Sequence, residues 1–176
     1  MKVSLALLFA GFKQSYAKIK DAKNQKELDQ VFFALFETLS WIYTIDERVK
    51  EIGDLEGVDA ELKEIMRAIR YARNRVQHQW AEIIYCRDDA TFPATFPVTL
   101  FEWVWMSLDK VPQSPNKKFE DPDGKNKYIV YLENEAVRHS LTLIYSKIVM
   151  IESIDANTVS LNDSGSNGQP IQLALK

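Results

Sequence analysis

Apolar residues recur along this chain at spacings of three and four, the mark of helices that bury one face. In residues 25–52 the stripe runs Leu28, Val31, Phe32, Leu35, Phe36, Leu39, Ile42, Tyr43, Val49 and Ile52. It predicts one long helix, which Gly53 stops before Gly57 opens a turn. Residues 59–86 carry a second stripe, Leu62, Ile65, Met66, Ile69, Ala72, Val76, Trp80, Ile83 and Ile84, with Asp59 as its expected N-cap. The short connection between the two stripes predicts an antiparallel helical hairpin.

Two more helices flank this hairpin. The apolar run Val3 to Phe12 leads into the amphipathic segment Phe12-Lys13-Gln14-Ser15-Tyr16-Ala17-Lys18-Ile19, so residues 3–20 read as a first core helix. An export signal is the alternative, but its basic region would be Lys2 alone and no small-x-small cleavage site follows. No other apolar run approaches the roughly 20 residues that span a bilayer, so no membrane partner is expected. Residues 127–152 repeat the helical pattern through Ile129, Leu132, Ala136, Leu141, Ile144, Ile148 and Ile151.

Between them, residues 87–127 form an irregular insertion. Phe92-Pro93 and Phe96-Pro97 cannot lie inside a helix, because proline lacks an N–H and restricts the residue before it. The segment Phe101-Glu102-Trp103-Val104-Trp105-Met106 fits either a short helix or an extended strand. Trp103 and Trp105 read as packing over a small core rather than as stacking platforms for bases. Pro112 to Gly124 reads as a polar connecting loop. From about Asp155 the chain turns rich in Ser, Asn and Gly. The expected fold is therefore all-α: a four- to five-helix bundle over residues 1–155, with the insertion before its last long helix and a flexible tail over 156–176.

Composition narrows the function classes. At 176 residues, 46% hydrophobic and 27% charged, the chain suits one globular domain. A net charge of -3 argues against a general polyanion binder, so any nucleic-acid contact must come from a local patch. Lys13, Lys18, Lys20, Lys23 and Lys26 make the first helix and its linker basic, which we read as a solvated face. Cys86 is the single cysteine; it excludes an internal disulfide and suits a reducing, cytoplasmic setting. No CxxC or HExxH spacing occurs, so neither a metal nor another cofactor is expected.

Candidate chemistry concentrates in Arg73-Asn74-Arg75-Val76-Gln77-His78. With Ile69 at the centre of the stripe, Arg73 falls at about 40°, Gln77 at about 80°, Arg70 at about 100°, Asn74 at about 140° and His78 at about 180°. Arg73 thus starts from the edge of the buried face, where an arginine needs a partner. Two readings compete: a structural pair with a carboxylate of the preceding helix (Glu37, Asp46 or Glu47), which general statistics favour, or an anion bound in a groove. His139 directly follows Arg138 and has no comparable spacing, so it reads as a surface or core-edge residue.

Arg73-x4-His78, with Asn74 next to the arginine, resembles the Rx4-6H motif of HEPN domains, helical bundles that carry it on a late helix of a hairpin. The resemblance covers residues 3 to about 152 as architecture, and its specific residues are Arg73, Asn74 and His78. It implies a metal-independent endoribonuclease that acts as a homodimer on RNA. It also implies Arg73, His78 and Asn74 as catalytic residues, with Arg70, Arg75 and Gln77 binding substrate. A toxin or phage-defence role, held in check by an antitoxin or regulatory protein, is compatible with it. In one toxin–antitoxin subgroup the motif continues as HxY; here Gln79-Trp80 follows His78, which puts control through a tyrosine hydroxyl in doubt. The rival expectation is a non-catalytic HEPN-like module that binds RNA, a nucleotide or a protein. A third is a plain interaction bundle in which Arg73 is salt-bridged into the core.

Overall fold

A computed structural model describes residues 3–22, 27–52, 60–79, 82–87, 102–112 and 121–149. Helix α1 spans Leu5–Asp21, α2 Leu28–Ile52 and α3 Ala60–Gln79. Strands β1 (Ile84–Arg87) and β2 (Glu102–Trp105) follow, then α4 (Pro122–Tyr131) and α5 over 137–149. The five helices among the described residues bear out the all-α bundle. The expected caps at Asp59 and Gly53, Trp80, both Phe-Pro pairs and the tail lie outside the described residues.

Each helix begins where local chemistry favours it. The Ser4 hydroxyl accepts the Leu7 N–H and caps α1. The Asp121 carboxylate accepts the Gly124 N–H, and Pro122 fills the first turn of α4, where its missing N–H costs nothing. Antiparallel α1 and α2 are pinned by Lys18–Glu37 at 2.7 Å and by Trp41 lying against Gly11. A Cβ on Gly11 would meet the Trp41 ring at 2.5 Å. Gly11→Ala is accordingly expected to destabilise the fold by about 1–2 kcal/mol despite alanine's better helix propensity, measured by urea denaturation.

Two expected boundaries shift. The third helix was expected to reach residue 86 but ends at Gln79, and Ile84–Arg87 is a strand. Ile83 and Ile84 are both buried, and a short apolar run satisfies either geometry. Pairing decides: Ile84 lies opposite Trp105 and Arg87 opposite Glu102 in the antiparallel ladder. The Phe101–Met106 alternatives resolve accordingly, since Glu102–Trp105 is extended. Trp103, Val104 and Trp105 are buried, as the packing reading expects.

The expected single helix over 127–152 is two. Helix α4 starts five residues earlier, at Pro122, inside the segment read as a loop, and stops at Tyr131. Asn134 then adopts φ 62°, a left-handed conformation that asparagine tolerates. Its N–H donates to the Trp105 carbonyl, and the Trp105 N–H donates to the Glu135 carbonyl, both at 3.0 Å. The edge of β2 thus takes backbone groups that a continuous helix would keep for itself. One core joins all these elements, with Phe9, Phe12, Leu35, Leu39, Ile69, Val76, Trp105, Tyr128, Leu141 and Ile144 essentially inaccessible.

Candidate functional site

The α2–α3 seam is a ladder of polar rungs beside the core. The Gln77 amide donates to the Ser40 hydroxyl, the Arg73 guanidinium lies 4.2 Å from the Tyr43 ring centroid, and Arg70 binds Asp46 and Glu47. Ser40, Tyr43 and Asp46 are three apart on α2, while Gln77, Arg73 and Arg70 run the other way on α3. Antiparallel helices with a 3–4 residue repeat bring such sets into register. Beyond Arg70 the seam opens into a cleft of about 240 Å³ whose wall includes Lys50 and Arg67.

The two seam arginines differ in neutralisation. Arg70 donates through Nε to Asp46 at 2.7 Å, again through Nη2, and to Glu47 at 2.6 Å. Arg73 meets no carboxylate among the described residues. Of the acids expected for it, Glu37 pairs with Lys18, while Asp46 and Glu47 take Arg70. Arg73 has instead the Tyr43 face and a 3.4 Å bond to Asn74 Oδ1. Its Nε is buried with no hydrogen-bond partner. A cation held by a ring and an amide keeps its charge for an added anion.

Burial raises the Asp46 pKa above the ordinary aspartate value; Arg70 opposes this and Glu47 reinforces it. A raised folded-state pKa means the folded chain binds the proton more tightly than the unfolded one. The contribution to stability is therefore present below the unfolded value and lost as pH rises through the folded value. Asp46→Asn removes this titration. The stability of Asp46→Asn relative to wild type is expected to rise with pH across the carboxylate range, as read by urea unfolding at several pH values.

The other expected residues fall on either side of this ladder. Half-buried Asn74 accepts from Arg73 and leaves its amide N–H groups without a partner among the described residues. Arg75 points to the opposite flank, where it donates to the Tyr71 hydroxyl at 2.7 Å and the Pro112 carbonyl at 3.2 Å. Tyr71 packs on Tyr128 of α4, so it belongs to the core. His78 is exposed in the last turn of α3. The structure thus brings Arg73, Asn74 and Tyr43 together, with Arg70 and Gln77 as neighbours engaged by α2. It sets Arg75 apart. His139 is exposed on α5.

Tyr43 is the site residue that the hydrophobic pattern hides. Its spacing places it in the apolar stripe of α2, which its half-buried ring satisfies. The available signal was the polar line Ser40, Tyr43, Asp46 on one flank of α2, mirrored by Arg70, Arg73 and Gln77.

A scan against protein-family models finds no match, and searches of curated proteins and of solved structures find none either. Among the described residues no group of three or more His, Cys, Asp or Glu is placed to hold a metal ion. No described helix is long and apolar enough to cross a membrane.

Proposed function

We propose that the chain is a cytoplasmic, HEPN-type endoribonuclease that cleaves RNA as a homodimer without a metal. The observation that carries this reading is Arg73: a cation at the core boundary, fixed on Tyr43 and Asn74, with no acid to neutralise it and no partner for its buried Nε among the described residues. Arg70, about 60° away on the same flank by helical spacing, serves as the internal contrast, since two carboxylates hold it.

The chemistry follows from the residue types. Attack of a ribose 2′-OH on the adjacent phosphate needs a base, an acid for the leaving 5′-oxygen and stabilisation of charge on phosphorus. A neutral His78 imidazole accepts the 2′-OH proton. Arg73 grips phosphate oxygens with parallel N–H donors. Asn74 lies one turn before His78 and offers its amide N–H groups, which have no partner among the described residues, to the sugar or phosphate. Arg73 and His78 lie about 140° apart around α3, a gap that a second copy across a two-fold axis would bridge. The two copies would then supply one histidine as base and the other as acid. A toxin or phage-defence role, with a controlling antitoxin, fits such an activity.

The test is cleavage of a mixed RNA pool in EDTA by wild type, Arg73→Ala and His78→Ala. Cutting that leaves 2′,3′-cyclic phosphate ends and vanishes in both variants is the expected result. A folded, dimeric protein that binds RNA but does not cut it would replace this reading with a binding module. A forced monomer with undiminished cutting would remove the dimer from the mechanism.

A further inference from the structure

The basic face of α1, expected to be simply solvated, forms one wall of a second cleft. About 460 Å³ in volume, it lies between α1 and α5. Lys13 and Lys20 line it from α1 and Arg138 from α5, beside Tyr16 and Tyr145, with Asp21 as its acid. Lys13 and Lys20 are two helical turns apart, so both emerge on one face.

Among the described lining residues Lys20 and Arg138 thus converge beside a single carboxylate, in a chain that carries more acids than bases. Among the described residues Lys20 and Arg138 form no ion pair. Matching is the rule at the α2–α3 cleft, where Lys50 pairs with Asp46, Arg67 with Asp123 and Arg70 with both Asp46 and Glu47. Converging like charges repel, and an added anion relieves that repulsion.

The cleft wall is also preorganised. The Thr142 hydroxyl donates to the Arg138 carbonyl at 2.7 Å, so its contact with the Tyr16 hydroxyl is donated by the tyrosine. This ties the Arg138 turn of α5 to α1. The rings of Tyr16 and Tyr145 lie 5.7 Å apart and both pack on Phe12.

We propose that the α1–α5 cleft binds a small phosphomonoester, with Lys13, Lys20 and Arg138 around its dianion and its organic part along Tyr145. Cations approaching from two helices match several oxygens and two charges better than a single carboxylate. The volume falls in the range of about 300–1,000 Å³ typical of small-molecule sites. A polynucleotide instead requires an extended basic stripe, which the acid-matched α2–α3 surface does not continue. The proposal does not rest on the nuclease reading, which uses α3.

The experiment is a 31P NMR titration of phenyl phosphate with the full chain, alongside inorganic phosphate. Saturable binding of phenyl phosphate, tighter than that of inorganic phosphate, is expected. Arg138→Ala and Lys20→Ala should each weaken it by about tenfold. Both side chains are exposed, so unchanged thermal unfolding would exclude misfolding as the cause. Arg73→Ala should leave binding intact, which separates this cleft from the α3 site. No saturable binding, or equal affinity in wild type and Arg138→Ala, would overturn the proposal. So would full displacement of the probe by an equal concentration of RNA lacking terminal phosphates.

Discussion

His78→Ala is expected to slow RNA cleavage by about 10²–10⁴-fold, the usual worth of a positioned general acid or base. Arg73→Ala is expected to cost about 10²–10³-fold, as for loss of one preorganised donor to a developing negative charge. Single-turnover cleavage of a labelled RNA in EDTA measures both. Arg73→Lys should recover little, because an ammonium has no fork to span two phosphate oxygens and stacks less well on a ring. Tyr43 distinguishes this arrangement from a generic basic surface. Tyr43→Phe keeps the ring face under Arg73 and should cleave nearly as wild type, whereas Tyr43→Leu should lose about tenfold by releasing the guanidinium. Equal rates for the Phe and Leu variants would show that the ring does not position Arg73. Loss of cleavage in Arg70→Ala, with the fold intact, would instead move the catalytic cation to the acid-paired position.

Trp105→Ala is expected to destabilise the fold by about 3–5 kcal/mol, the range for emptying a fully buried tryptophan site. Four elements depend on this residue. Its indole N–H donates to Ser140 of α5 at 3.2 Å, and its ring meets Tyr128 of α4 edge-on at 6.4 Å. Its backbone holds the turn at Asn134 and Glu135, and it stands opposite Ile84 in the sheet. The surrounding helices are themselves fixed, so the cavity cannot readily collapse. Trp103 offers a control. It is buried too, but its indole N–H has no partner among the described residues. Trp103→Phe removes an unsatisfied donor and should cost less than Trp105→Phe, which removes a bonded one and leaves the Ser140 hydroxyl with only its donated bond to the Ala136 carbonyl. Urea midpoints and slopes of the two variants decide this; equal losses would mean the bond to Ser140 contributes nothing.

By itself the sequence determined the helical class, the α2 and α3 stripes and the place of Arg73 at the edge of a buried face. These are local properties: a repeat of 3.6 residues and the cost of burying charge act within one helix, so spacing alone reveals them. Leu35, Leu39, Ile42, Ile69 and Val76 are buried accordingly. Tertiary structure decided the rest, because each remaining choice depended on a partner distant in the chain. Ile84 became strand rather than helix because Trp105 pairs with it, and Asn134 broke the last helix because β2 takes its N–H. Arg70 takes Asp46 and Glu47, two of the acids expected for Arg73, since helical register sets them opposite Arg70 and places Tyr43 under Arg73. Likewise, Lys20 became part of a cleft only where α5 brings Arg138 against α1. The hydrophobic pattern fixes which face of each helix is buried; the offset between neighbouring helices fixes which charges meet.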